Sequence, residues 1–353
     1  MPGFVERASD SVRAALRWLQ PKEHFDHSIW ELVLFITLGA ALALGAAVGL
    51  AWVAGFEKVW DRISHPNTIW IPIAFAGQVG AYLGYMLAYR EVARVQRGPE
   101  LGVMRLAAVV FSGFGVFVAA GGFAIDVAAL RGAGTTNREA RIRVLGLGAL
   151  EYALLAPAAF VCSLIIIAHG SHKPDLAVTL PWAIGVPLGL IFVLWGLRHR
   201  ARFEHQRGWR GALDHGLQGI AVLRDLAREP LRHGNAFLGM GLYWAGEIFS
   251  LAAALHAFHS ERPAVAALIV GFATGYALTR RTLPLAGAGV VEVLLPLALV
   301  WSGATLAAAV PAVFLYRIFN LWLPLIPAVI GFRALRRRAL ADGGRRPPAQ
   351  EAF

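Results

Sequence analysis

The 353-residue chain is 57% hydrophobic and 16% charged, with a mean hydropathy of +0.57. Ordinary soluble domains are about a quarter charged, so water is excluded as the main solvent of this chain. The formal net charge of +11 sits in short Lys and Arg clusters between apolar runs, a pattern of membrane topology and not of nucleic-acid binding. The lone Cys162, inside an apolar run, excludes an intramolecular disulfide and reads as a small packed residue.

Residues 1–30 include Arg7, Arg13, Arg17 and Lys22, and Val12, Leu16 and Leu19 share one helical face beside Trp18. This predicts a cytoplasmic interfacial leader, uncleaved because the run behind it is too long for a signal-peptide core. That run, 32–56, carries no charge and exceeds the roughly 20 residues that cross a bilayer. Further apolar runs lie at 69–89, 106–130, 144–168, 178–197, 236–258, 264–279, 283–301 and 305–330. Their Gly, Ala and Pro content suits helices packed through small residues and lacks the alternation of an outer-membrane barrel, which favours an inner or plasma membrane. Trp18, Trp30, Trp52, Trp60, Trp70 and Trp182 stand near run ends as interface anchors.

Basic residues flank the third run on both sides: Arg90, Arg94, Arg97 and Arg105 before it, Arg131, Arg138, Arg141 and Arg143 after it. Both loops read as cytoplasmic, so the run 106–130 is expected to enter and return on one side as a re-entrant hairpin broken near Gly121 and Gly122. The fold class predicted is an all-α integral membrane protein of about eight transmembrane helices plus this hairpin, in two pseudo-repeated halves. The halves cover about 31–197 and 235–332 within a membrane domain 31–340. The loops 169–175, 259–262 and 302–304 fall outside. The segment 198–232, Arg280 with Arg281, the 333–338 cluster and both termini fall inside. In the basic linker 198–234, Leu213, Leu217, Ile220 and Leu223 follow helical spacing, while Arg210, Arg224 and Arg228 suit anionic headgroups, so an interfacial helix ending near Pro230 is expected. The tail 341–353 has no apolar periodicity and reads as disordered.

Residues 120–127 and 286–293 align in one register, each a small-residue stretch, a β-branched residue and an acid: Gly121, Gly122 and Asp126 in the first, Gly287, Gly289 and Glu292 in the second. Repeats with interrupted helices point to a transporter's central site. An unpaired charge at such depth costs roughly 2.5 to 3.5 kcal/mol, so each acid needs a partner or a cavity. Arg131 is within reach of Asp126 in sequence, and Arg317 of the last run is the expected partner of Glu292. Glu151 and Glu247 are further intramembrane carboxylates, facing either the same cavity or a neighbouring helix.

Thr282 through Glu292, followed by Ala312 to Arg317 with Tyr316, and then Trp322-Leu323-Pro324, resembles the transmembrane region of lysylphosphatidylglycerol synthases, the flippase-like domain family. Gly121 through Asp126, with Leu130 and Gly132, is similar to that family's first-half glycine and acid motif. Two departures stand out: Ala119 and Ala120 where a proline is expected, and Ala288 among the second glycines. The resemblance implies a helical domain carrying a phospholipid or modified lipid between leaflets, with the chemistry elsewhere. No synthase domain follows Phe353, so the lipid-aminoacylating half is expected to be absent from this chain.

Walker A, His-Glu-x-x-His and Gly-x-Ser-x-Gly sequences do not occur. His169, His172 and Asp175 with His256 and His259 offer imidazoles for zinc, but read as interfacial residues, and no metal or other cofactor is expected. The reading is therefore a non-enzymatic lipid translocator. Its substrate site is expected at Asp126, Glu292, Arg317, Gly121, Gly122, Gly287, Gly289 and Tyr316, with Glu151 and Glu247 beside them, and a homo-oligomer is allowed. The alternatives are a membrane enzyme or enzyme subunit of lipid or lipid-linked sugar metabolism, and a carrier of a small polar solute.

Overall fold

A computed structural model of the protein describes residues 29–114, 123–169, 176–199, 209–260, 263–277 and 283–331. The expected leader helix, the break at Gly121 and Gly122, the Arg280–Arg281 loop and the tail lie outside these residues. Among the described residues every regular element is helical. In chain order these are α1 (Ile29–Ala54), α2 (Phe56–Ser64), α3 (Trp70–Arg94), α4 (Val103–Gly113), α5 (Phe123–Arg131), α6 (Asn137–His169) and α7 (Leu176–Arg198). They continue with α8 (Trp209–Arg228), α9 (Pro230–Ala257), α10 (Val265–Phe272), α11 (Val290–Trp301) and α12 (Leu306–Arg317).

Among the described residues six helices are long and apolar enough to cross a membrane: Val33–Ala54, Trp70–Arg97, Asn137–His169, Leu176–Arg198, Arg232–Ala257 and Leu306–Gly331. The runs 264–279 and 283–301, expected to cross singly, hold the shorter apolar helices α10 and α11. α1 and α7 bury little of their surface against the rest of the protein, so their remaining leucines, valines and isoleucines need lipid around them. α3 and α9 are the inner pair.

The seam between α3 and α9 follows from four glycines. A Cβ on Gly84 would lie 2.5 Å from the Gly239 carbonyl, and one on Gly246 would lie 2.6 Å from the Gly77 carbonyl. Gly77 and Gly84 are two helical turns apart, as are Gly239 and Gly246, so the two backbones touch at two levels in antiparallel order. Such contact needs small residues, because in lipid the helices associate by packing and not by escape from water.

Two pairs of short helices flank this seam. Arg105 Nη2 at the start of α4 donates to the Ala129 carbonyl near the end of α5 at 3.1 Å. Ser302 Oγ, just past α11, donates to the Ala267 carbonyl in the first turn of α10 at 2.9 Å. Each pair is thus antiparallel with its base closed by a side chain. α6 begins with a capping box, Glu139 N donating to Thr136 Oγ1 at 3.3 Å and Thr136 N to Glu139 Oε2 at 3.1 Å. α8 ends before Pro230, as its spacing predicts, but buries Asp214, Leu217, Gln218, Val222 and Leu226, with Arg224 and Arg228 exposed. Its apolar side is packed on α6, where Gly219 would clash with Leu145 if it carried a Cβ.

A candidate polar site at the ends of the broken helices

The chain between α10 and α11 reverses its backbone handedness. Leu285, Ala286 and Gly287 have φ of 55°, 51° and 69°, and Gly289 has 85°. Leu285 and Ala286 hold a left-handed conformation that costs roughly 1–2 kcal/mol for a residue with a Cβ, so something must fix it. Glu292 does part of this: its Oε2 accepts from Gly289 N at 2.7 Å, capping α11 from inside its first turn. Arg317 does the rest. Its Nε donates to Glu292 Oε1 at 2.7 Å and its Nη2 to the Ala286 carbonyl at 3.2 Å. With exposures of 1% and 3%, Arg317 and Glu292 form a buried ion pair.

α12 presents Arg317 together with its neighbours because its last turn widens. Residues Ile318–Trp322 form a π-turn, with Leu323 N donating to the Ile318 carbonyl at 2.7 Å. Such turns insert an extra residue and recur at functional sites. A second π-turn, Ala273–Ala277, follows α10. The two meet: Tyr276 OH donates to Asn320 Oδ1 at 2.9 Å, and Tyr82 OH of α3 to the Asn320 carbonyl at 2.6 Å. Arg317 Nη1 also reaches Asn320 Oδ1, at 3.4 Å.

Asn320 carries the network on to Glu247 of α9, its Nδ2 lying 2.9 and 3.0 Å from the two carboxylate oxygens. Gln78 Nε2 of α3 donates to Glu247 Oε1 at 3.1 Å, and Tyr316 OH donates to Oε2. Glu247 has no exposed surface. A continuous polar chain, Glu292–Arg317–Asn320–Glu247, therefore runs through the contact of α3, α9, α12 and the broken α10–α11 segment. Two carboxylates and one guanidinium sit there among neutral donors.

Of the residues expected from sequence, Glu292, Arg317, Gly287, Gly289, Tyr316 and Glu247 come together. Glu151 belongs to a second cluster on α6, where its Oε1 accepts from Tyr85 OH at 2.8 Å and its backbone carbonyl from Trp244 Nε1 at 2.8 Å. The Tyr85 ring meets Phe114 and Tyr243 edge-on. Asp126 is buried in α5, which packs on α4 and α6, while Gly121 and Gly122 lie outside the described residues. His256 rests on the Trp70 ring at 4.7 Å, and His259 Nε2 donates to the His65 carbonyl at 2.8 Å. Sequence reasoning missed Gln78, Tyr82, Tyr276 and Asn320. One regularity was available in the sequence: Glu151 follows Asp126 by the same 25 residues that separate Arg317 from Glu292.

Among curated proteins none is similar enough to match the chain. The lysylphosphatidylglycerol synthase TM region family matches residues 36–328. That interval takes in both glycine and acid motifs, both short-helix pairs and the whole polar chain, and it carries with it a role connected with membrane lipids. It covers most of the sequence, and the chain belongs to the lysylphosphatidylglycerol synthase transmembrane-region family.

Proposed function

We propose that the protein moves a phospholipid or modified lipid between membrane leaflets, the headgroup passing the Glu292–Arg317–Asn320–Glu247 chain while the acyl chains stay in the bilayer. One observation carries the reading: a guanidinium at 1% exposure braces a left-handed backbone turn between two broken helices. Charge is retained in apolar surroundings at a cost, and usually for a pathway. Arg317 offers planar, two-pronged donors that match phosphate oxygens. The pair with Glu292 parts when a phosphate arrives, and the left-handed turn is released with it.

The two short-helix pairs support a pathway as well. α4 has 11 residues and α11 has 12, about 16–18 Å of helix against a hydrocarbon core of roughly 30 Å. In this reading each pair enters and returns on one side, α4–α5 from the cytoplasm and α10–α11 from outside. Six crossings then leave both termini cytoplasmic, in an inner or plasma membrane, with the basic loops and α8 against anionic headgroups.

The test is purified protein in liposomes containing fluorescent phosphatidylglycerol, with inner-leaflet probe read by its exposure to an impermeant quencher. Wild type is expected to expose the inner pool. Arg317→Ala and Glu292→Gln are expected to slow that exposure about tenfold or more, the loss of one charge-assisted contact of roughly 1.5–3 kcal/mol. Wild-type rates from both variants would refute the assignment.

A further inference from the structure

Around Arg317 the charges do not balance once a phosphate is added. One guanidinium already faces Glu292 at 2.7 Å and connects through Asn320 to Glu247. A phosphodiester brings a further negative charge into a place without solvent, and if Arg317 turns toward it, one cation serves three anions. Buried uncompensated charge is strongly unfavourable. A proton on one carboxylate is the smallest remedy.

The geometry selects which carboxylate takes it. Glu292 keeps the Gly289 N–H as a donor to its carboxylate when Arg317 leaves. Glu247 is held by neutral donors, Gln78, Tyr316 and Asn320. Gln78 has 1% exposure, and its Oε1 makes no hydrogen bond. Rotating that amide turns Oε1 toward Glu247, ready to accept from a carboxylic O–H. Glu247 thus has, in the Gln78 amide, an acceptor for a proton one rotation away, as well as donors for its ionised form.

The helices packed around this position carry the following charged and titratable groups. α12 brings Tyr316 and Arg317, the turn after α10 brings Tyr276, and α11 brings Glu292 behind Arg317. α3 brings Tyr82 and Tyr85, and Glu91, which lies 3.7 Å from His233 of α9 itself. α6 brings Glu151, held by Tyr85, and α8 brings Asp214, held by Gln218. Within the polar chain Arg317 is the cation, and its reorientation is what changes the charge felt at Glu247.

We infer that Glu247 is a proton-binding site that loads as an anionic headgroup takes Arg317 from Glu292, so that lipid and proton occupy the centre together. The proton comes from water onto a Glu247 oxygen, forming an O–H bond, and returns to water when the lipid leaves. This rests on the lipid-translocation reading, and the experiment separates the two.

Dioctanoyl phosphatidylglycerol is added to the detergent-purified full chain in weak buffer with a pH-indicator dye, and binding is measured across pH. Binding is expected to take up about one proton per lipid, so affinity falls about tenfold per pH unit on the alkaline side. Glu247→Gln is expected to bind with neither uptake nor pH dependence. In liposomes whatever lipid movement remains is expected to ignore a pH gradient that alters the wild-type rate. Lipid binding by wild type without proton uptake, no binding, or uptake retained in Glu247→Gln overturns the inference. Coupled uptake in a protein that moves no lipid upholds it and overturns the transport reading. Gln78→Leu, which keeps Glu247 but removes the reversible amide, serves if Glu247→Gln fails to fold: uptake equal to wild type then overturns the inference.

Discussion

Arg317 directs its three guanidinium nitrogens to three acceptors on three segments: Nε to Glu292, Nη1 to Asn320 and Nη2 to the Ala286 carbonyl. A lysine supplies the charge but only a single donor centre, so Arg317→Lys is expected to keep the ion pair and lose the brace on the left-handed turn. The expected result is a destabilisation of about 2 kcal/mol against roughly 3–5 kcal/mol for Arg317→Ala, which strands Glu292 as a lone buried charge. Thermal unfolding in detergent measures both, and equal stability of Lys and Ala variants would show that charge alone decides. At this scale the sequence was informative where a residue carried formal charge, because charge inside an apolar run has few innocent explanations. Asn320, Tyr276 and Gln78 escaped notice for the opposite reason: neutral polar side chains are tolerated in such runs, and only the two π-turns bring them to one point.

Element by element, the close contact of α3 with α9 is the feature most exposed to mutation. Gly84 and Gly246 leave no space for a Cβ, since a carbonyl oxygen and a backbone nitrogen stand within 2.7 Å of where each would lie. Backbone cannot move aside as a side-chain end can. Gly84→Val is expected to cost more than the 1–3 kcal/mol typical of overpacking. Gly80→Ala, on the same helix with nothing within 4 Å of its Cβ position, is expected to be neutral or slightly stabilising. Unfolding midpoints of the two variants check this, and a tolerated Gly84→Val would mean that the helices separate freely. The long helices were legible from runs of 20 or more apolar residues, and α8 from its periodicity. The α8 face was displaced by about a residue because Asp214 and Gln218 bury as a bonded pair, at 2.6 Å, which hydrophobic spacing alone does not anticipate.

On the scale of the whole molecule, a shared central path as proposed needs two matching parts arranged in opposite senses. In that reading α3 with the α4–α5 pair and α6 corresponds to α9 with the α10–α11 pair and α12, and the antiparallel contact of α3 with α9 joins the two sets. A half-turn about an axis through that seam exchanges Gly77 with Gly239 and Gly84 with Gly246, consistent with the reciprocal approach of their carbonyls. In the same reading chemistry breaks the symmetry, because Glu151 would stand in the first half where Arg317 stands in the second. The runs 264–279 and 283–301 were read as crossings because their lengths lie near the lower end of the roughly 17–25 residues a span needs, and charge in the loops fits either arrangement. The position of Arg281 separates them. On a Cys162→Ser background, Glu57→Cys is expected to react with an impermeant maleimide from outside, and Arg138→Cys only after the cytoplasmic face is opened. With α10–α11 inserted from outside, Arg281→Cys stays unreactive from the cytoplasm even then. Eight crossings would make it label together with Arg138→Cys, and that result would remove the inverted pairing on which a shared central path depends.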